Sequence, residues 1–148
     1  MYSNILVPID GSITSMKAME EAARLARLTQ GEVCLLHVVD LLINIPDFEA
    51  PALSLSELQP AIEQAGEELL AKAKAQLDKE GVKVRTELYK SSGIRVSEAI
   101  LNSAREQKAD IIVIGTHGRR GFERMMMGSD AEQVVRSSPV PVLLVRHR

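Results

Sequence analysis

Gly115-Thr-His-Gly118, nine residues from Arg119 to Met127, and then Gly128-Ser129 give the spacing G-x2-G-x9-G-S. An apolar strand pattern, Asp110-Ile-Ile-Val-Ile114, runs into this stretch, and a helical pattern runs out of it from Ser129. Glycines placed between the carboxyl end of a parallel strand and a helix N-terminus let backbone N–H groups approach an anion that the helix dipole already favours. The chemistry expected there is phosphate binding. Ser129 fits two roles at once, a hydroxyl donor to phosphate and the first residue of a capping box, Ser129-Asp-Ala-Glu132. Arg119, Arg120 and Arg124 crowd the loop, as phosphate partners or as a solvated charged turn. Asp10, in Asp10-Gly-Ser12, fits a ribose hydroxyl, a metal or a plain turn. His37, His117 and His147 have no partners at metal-ligand spacing.

Five strands must position these residues: Ile5 to Ile9, Val33 to Val39, Val82 to Leu88, Ile111 to Ile114 and Val140 to Val145. Helical patterns separate them: Ser15 to Gln30, ending at Gly31; a long stripe of Leu58, Ile62, Ala65, Leu69, Ala73 and Leu77; Val96 to Gln107; and Ser129 to Ser137. This βα alternation predicts an α/β fold, a doubly wound five-stranded parallel sheet with helices on both faces, in one domain over residues 1–148. The first, second and fourth strands are almost continuously apolar, as buried parallel strands are. The third alternates apolar with polar, and the fifth carries Pro139 and Pro141, so both are expected at edges. An apolar edge invites pairing with a second copy, which makes a homodimer through the last strand the expected assembly. With the order 3-2-1-4-5, the strand order reverses between the first and fourth strands, where Val7-Pro-Ile-Asp10-Gly-Ser12 and Ile114-Gly115-Thr-His-Gly118 would flank one crevice. Residues 40–56 show no period and contain Pro46 and Pro51, a long connection fit for a lid or an interface.

Composition narrows the function. Eighteen basic and 20 acidic residues, mixed along the chain to a net charge of −2, leave no basic stripe for nucleic acid. Cys34 is the only cysteine, which excludes disulfide frameworks and multi-cysteine metal sites. Met1-Tyr-Ser-Asn4 enters a strand directly and no apolar run reaches membrane-spanning length, so a cytoplasmic protein that is not membrane-embedded is expected.

Four blocks in order carry a family resemblance: Ile5-Leu-Val-Pro-Ile-Asp-Gly-Ser12, Leu35-Leu-His-Val-Val-Asp40, Ala109 to Gly118, and Pro139-Val-Pro-Val-Leu-Leu-Val-Arg146. With the ungapped G-x2-G-x9-G-S motif, the chain resembles the ATP-binding subgroup of the universal stress proteins over nearly its whole length. That resemblance implies the 3-2-1-4-5 sheet of an adenine nucleotide α-hydrolase-like fold and dimerisation through the last strand. It also implies ATP as the ligand, with Mg2+ or Mn2+. Pro8 and Asp10 would lie near adenosine, and the Val38 backbone would read the adenine edge. Gly115, Gly118, Gly128 and Ser129 would hold phosphates, with the amides of Asp130 and Ala131 as further donors. Asp130 stands where the family often has a small apolar residue, and its carboxylate calls for an intervening cation or an outward side chain. The expected function is regulatory: ATP occupancy modulates oligomeric state, up to oligomers larger than the dimer, or a protein partner such as an enzyme or transporter. Neither a G-x-x-x-x-G-K-[ST] loop nor a kinase motif set is present, so catalysis is expected to be absent or incidental. The alternatives are a slow ATPase or phosphotransferase, and a nucleotide-free dimeric scaffold.

Overall fold

The computed structural model describes residues 1–41, 55–117 and 127–147. In chain order these form β1 (Asn4–Pro8), α1 (Ile13–Thr29), β2 (Glu32–Asp40), α2 (Leu55–Lys79), β3 (Lys83–Ser91), α3 (Val96–Glu106), β4 (Ile111–Gly115), α4 (Ser129–Ser137) and β5 (Val142–Val145). All strand pairings are parallel, in the order β3-β2-β1-β4-β5. The period-two alternation of a strand then sorts the apolar residues into two layers. Ile5, Val7, Val33, Leu35, Ile111 and Val113 face Ala18, Met19, Ala22 and Ala26 of α1 and Leu70, Ala73 and Leu77 of α2. Leu6, Cys34, Leu36, Ile112 and Ile114 face Ile100, Leu101 and Ala104 of α3 and Ala131 and Val134 of α4. Each fully buried Leu, Ile or Val contributes about 1.5–3 kcal/mol, and central strands apolar on both faces supply two cores from one sheet.

The edges are β3 and β5, as their patterns require. Pro139 and Pro141 precede β5 rather than lie in it, and the Pro141 carbonyl accepts from Ile112 N–H at 3.0 Å. A proline can accept at a strand entrance but cannot donate, so the strand proper starts one residue later. Leu143 is 40% exposed on this edge.

Several local expectations are corrected. The left-handed residue ending α1 is Gln30, at φ 57°, not Gly31. Gly31 is there for space, since a Cβ would lie 2.7 Å from the Tyr2 carbonyl oxygen. In α2, Gly66 rather than Ala65 faces inward, and Leu70 is buried more deeply than Leu69. At Gly66 a Cβ would meet Leu88 at 2.8 Å and His37 at 2.9 Å, so the missing side chain is what seats the helix on β2 and β3. The helix also begins at Leu55, inside the stretch expected to be loop; residues 42–54 lie outside the described residues.

The end of the sheet opposite the strand carboxyl ends is tied by polar contacts. Asp110 accepts from the amides of Ser3 and Asn4, and the Arg85 guanidinium reaches Glu32, Asn4 and Gln107. Beneath this network lies Cys34, 1% exposed. Burial pushes its thiol up to about 11, opposed by Arg85 and reinforced by Glu87 and Glu32. The thiol is therefore protonated near neutrality and a poor nucleophile. Iodoacetamide at pH 8 should label Cys34 in denaturant and spare it in the native protein; rapid native labelling would contradict the burial. Because the folded value lies above the unfolded one, the associated stability is complete below about pH 9 and is lost as pH rises toward 11. A Cys34→Ala variant should lack that component.

Candidate functional site

At the carboxyl ends of the strands the sheet opens between β1 and β4. Their pairing covers Ile5↔Ile111 and Leu6↔Ile112, while β1 stays with β2 through Pro8↔Leu36 and β4 stays with β5 through Gly115↔Val145. The crevice lies at the point of strand-order reversal, where open α/β sheets receive ligands.

One wall is the turn after β1. Ile9 N–H donates to Leu36 carbonyl at 2.8 Å, and Asp10 Oδ1 accepts from Ser12 N–H at 2.9 Å. Gly11, at φ 83°, reverses the chain, and Ser12 caps α1 by accepting from Ser15 N–H at 3.2 Å. The turn role of Asp10 is thus realised, and it holds the carboxylate beside the crevice. Ser12 as the cap starts the helix at Ile13, two residues before the apolar period becomes visible.

The second wall is the end of β4 and the start of α4. Gly115 has no positive φ; a Cβ there would lie 2.7 Å from Thr14 Cγ2 and 2.9 Å from both Thr14 C and O. Its glycine lets the first turn of α1 close against β4. Gly128 N–H donates to Thr116 carbonyl at 2.6 Å, joining the two ends of the G-x2-G-x9-G-S stretch. A Cβ on Gly128 would stand 3.1 Å from that same carbonyl. Gly118, Arg119, Arg120 and Arg124 lie outside the described residues.

Gly128, not Ser129, is the N-cap of α4, and no side chain caps the helix. Glu132 N–H bonds to Gly128 carbonyl and the Glu132 carboxylate pairs with Arg136 at 3.0 Å, so the expected capping box does not form. The shift follows from the Gly128–Thr116 bond, which sets Gly128 in extended geometry at φ −63°, ψ 154° and leaves Ser129 as the first helical residue. Among the described residues no acceptor is recorded for the amides of Ser129, Asp130 and Ala131 or for the Ser129 hydroxyl. Ser129 and Asp130 are exposed, and Ala131 is buried in the core beneath them. Three amides at a helix N-terminus that meet no acceptor among the described residues, with an exposed hydroxyl, form the kind of donor set that suits an anion.

The third component is β2. Leu36 directs its carbonyl toward β1, and in a parallel strand every second residue directs its backbone groups to the same side. Val38 therefore presents its N–H and C=O toward the β1 side, beyond the last β1 pairing at Leu36. Its side chain packs with the α3 and α4 layer. Pro8, Asp10, Val38, Gly115, Gly128, Ser129, Asp130 and Ala131 thus lie toward the carboxyl ends of β1, β2 and β4 or at the start of α4. Among the described residues no group of three or more His, Cys, Asp or Glu side chains is placed to hold a metal.

Residues 1–146 match the universal stress protein family. The chain belongs to that family. It is 36% identical to universal stress protein MJ0531 of Methanocaldococcus jannaschii, over 99% of this chain and 83% of that one. The solved structure of M. jannaschii MJ0577 superposes with a TM-score of 0.83 at 28% identity, covering 100% of this chain and 98% of that one. A universal stress protein from Archaeoglobus fulgidus, solved in complex with dAMP, aligns with a TM-score of 0.68 at 25% identity over 97% and 98% of the two chains. Within this universal stress protein, no helix among the described residues is long and apolar enough to cross a membrane.

Two structural contributors carried no motif signal. Thr116 acts through its carbonyl, which no side-chain pattern reveals. His37 is a polar residue in an apolar strand, a visible anomaly whose partner is the Ile9 carbonyl, 28 positions away.

Proposed function

We propose that this universal stress protein is an ATP-binding regulatory protein whose nucleotide occupancy alters its assembly or its hold on a protein partner. The observation that carries the reading is the bond from Gly128 N–H to the Thr116 carbonyl at the start of α4, where the Ser129, Asp130 and Ala131 amides meet no acceptor among the described residues. Phosphates would be held by those amides, the Ser129 hydroxyl and the Gly115–Gly118 turn, with Arg119 and Arg120 as charge partners. Adenosine would lie against Pro8 and Asp10, with its base edge on the Val38 backbone. Asp130, exposed at the second helical position, suits the helix dipole but repels bare phosphate. That fits a divalent ion, Mg2+ or Mn2+, carried by the phosphates. The dAMP complex of the Archaeoglobus protein supports an adenine nucleotide as the ligand class.

A regulator needs a surface that changes with occupancy. The exposed apolar edge of β5 joins β4 through Gly115↔Val145, at the site, and provides a dimer surface coupled to it. The sequence holds neither a G-x-x-x-x-G-K-[ST] loop nor a kinase motif set, so the proposed role is binding rather than turnover.

Ser129→Ala separates binding from capping. A Ser N-cap replaced by alanine costs about 1 kcal/mol, but Ser129 is not the cap, so the melting temperature should stay within about 2 °C. Affinity for ATP with magnesium, read by calorimetry, should fall about tenfold, near the value of one hydrogen bond to a charged group. In sedimentation, ATP should shift the wild type between assembly states and shift the variant only at higher concentration. Unchanged affinity together with a lowered melting temperature would return Ser129 to a purely structural role.

A further inference from the structure

The geometry points to His37 as a positioning residue that sets the preference of the site for a ribonucleotide over a deoxyribonucleotide. This rests on the adenine nucleotide reading of the crevice and adds to it the control of sugar recognition. His37 is half-buried on the face of β2 that meets α2, with its Cδ2 beside Gly66. Its Nδ1 lies 2.8 Å from the Ile9 carbonyl. A carbonyl only accepts, so Nδ1 carries the proton and donates. From the other side, Ile9 N–H donates to the Leu36 carbonyl at 2.8 Å. Ile9 is therefore gripped from β2 by two hydrogen bonds, its N–H by the Leu36 carbonyl and its carbonyl by the His37 side chain.

What this fixes is the start of the wall that meets the sugar. Asp10 N–H is 3.3 Å from Ser15 Oγ, its carboxylate accepts from Ser12 N–H at 2.9 Å, and the turn then enters α1. Those contacts orient Asp10 within its own turn. The His37 bond orients that turn against the sheet. The ring is held in place from behind by α2, because Gly66 leaves room that a Cβ, 2.9 Å from His37 Cδ2, would take. A chain of contact thus runs from α2 through His37 to the Ile9–Asp10 peptide. A hydrogen bond to a hydroxyl discriminates only when its acceptor is held to within a few tenths of an ångström, and His37 supplies that constraint.

The test compares ATP with its 2′-deoxy and 3′-deoxy analogues, with magnesium, by calorimetry. Wild type should prefer ATP by about tenfold over at least one analogue. His37→Phe keeps a ring but has no donor; its affinity for ATP should fall to that for the deoxy analogue, while affinity for the analogue itself stays within about twofold. His37→Asn places an amide donor near the Nδ1 position and should restore most of the preference. Gly66→Ala, which crowds the ring without touching the crevice, should weaken the preference in the same sense. A uniform loss for all three nucleotides would make His37 merely structural and overturn the inference, as would a preference unchanged in His37→Phe. Should His37→Phe not fold, His37→Asn decides, since loss of preference in that variant contradicts the role. Tight binding of all three nucleotides by wild type with no preference refutes the sugar-recognition role alone, whereas no binding of any refutes the nucleotide reading with it.

Discussion

Replacing Gly128 by valine should abolish retention of adenine nucleotide while leaving the fold in place. Gly128 sits at φ −63°, ψ 154°, a conformation that valine adopts freely, so no backbone strain is introduced. What valine introduces is bulk: even a Cβ would stand 3.1 Å from the Thr116 carbonyl, and a branched side chain adds two methyls beside a hydrogen bond of 2.6 Å. That bond joins the ends of the G-x2-G-x9-G-S stretch. With it displaced, the N-terminus of α4, with its Ser129, Asp130 and Ala131 amides, is no longer tied to the end of β4. The expected loss of ATP affinity is about 100-fold or more, against a fall in melting temperature of no more than about 4 °C. A variant that keeps wild-type affinity would show that these amides are not the phosphate donors.

Gly115→Ala should give the opposite balance. Its Cβ would meet Thr14 Cγ2 at 2.7 Å and the Thr14 C and O atoms at 2.9 Å. Because two of the three contacts are backbone, the side chain of Thr14 cannot relieve them by rotating. The first turn of α1 must move away from β4, and overpacking of this kind costs about 1–3 kcal/mol. For a chain of this size that lowers the melting temperature by roughly 3–10 °C. Thr14→Ala in the same chain should recover only part of the loss, since the backbone contacts remain. Thermal unfolding of the single and double variants checks this, and a Gly115→Ala protein as stable as wild type would contradict the packing. Two glycines of one motif are thus distinguished: Gly115 serves the seat of a helix, and Gly128 makes the bond to Thr116 on which the proposed anion site rests.

The same distinction shows what was legible in the chain and what was not. Strand order, edges and the crevice followed from signals spread over many residues: two-sided apolar runs in β1, β2 and β4, alternation in β3, and turn residues after β1 and β4. Signals of that length survive local exceptions. The misreadings fell where one contact with a distant segment overrode a local pattern. Ser129-Asp-Ala-Glu132 reads as a capping box until Thr116, 13 positions earlier, takes the Gly128 amide and moves the cap by one residue. Gly31 reads as a left-handed helix end, but Tyr2 needs the space and Gln30 takes the positive φ instead. In α2 the three- and four-residue period was visible, yet its face was misplaced at Ala65, because a helix pressed this closely on β2 and β3 turns its glycine inward. Thr116 acts through its carbonyl, and the role proposed for Val38 rests on its backbone; every residue carries such groups and no residue type advertises them.

The central claim is that the crevice between β1 and β4 holds an adenine nucleotide. The direct measurement is to denature freshly purified protein, identify any released nucleotide by chromatography, and titrate the nucleotide-stripped protein with ATP and magnesium. The expected result is ATP or another adenine nucleotide in near-stoichiometric amount from wild type, restored binding on titration, and neither from Gly128→Val. The contradicting result is wild-type protein that releases no nucleotide and binds no added ATP.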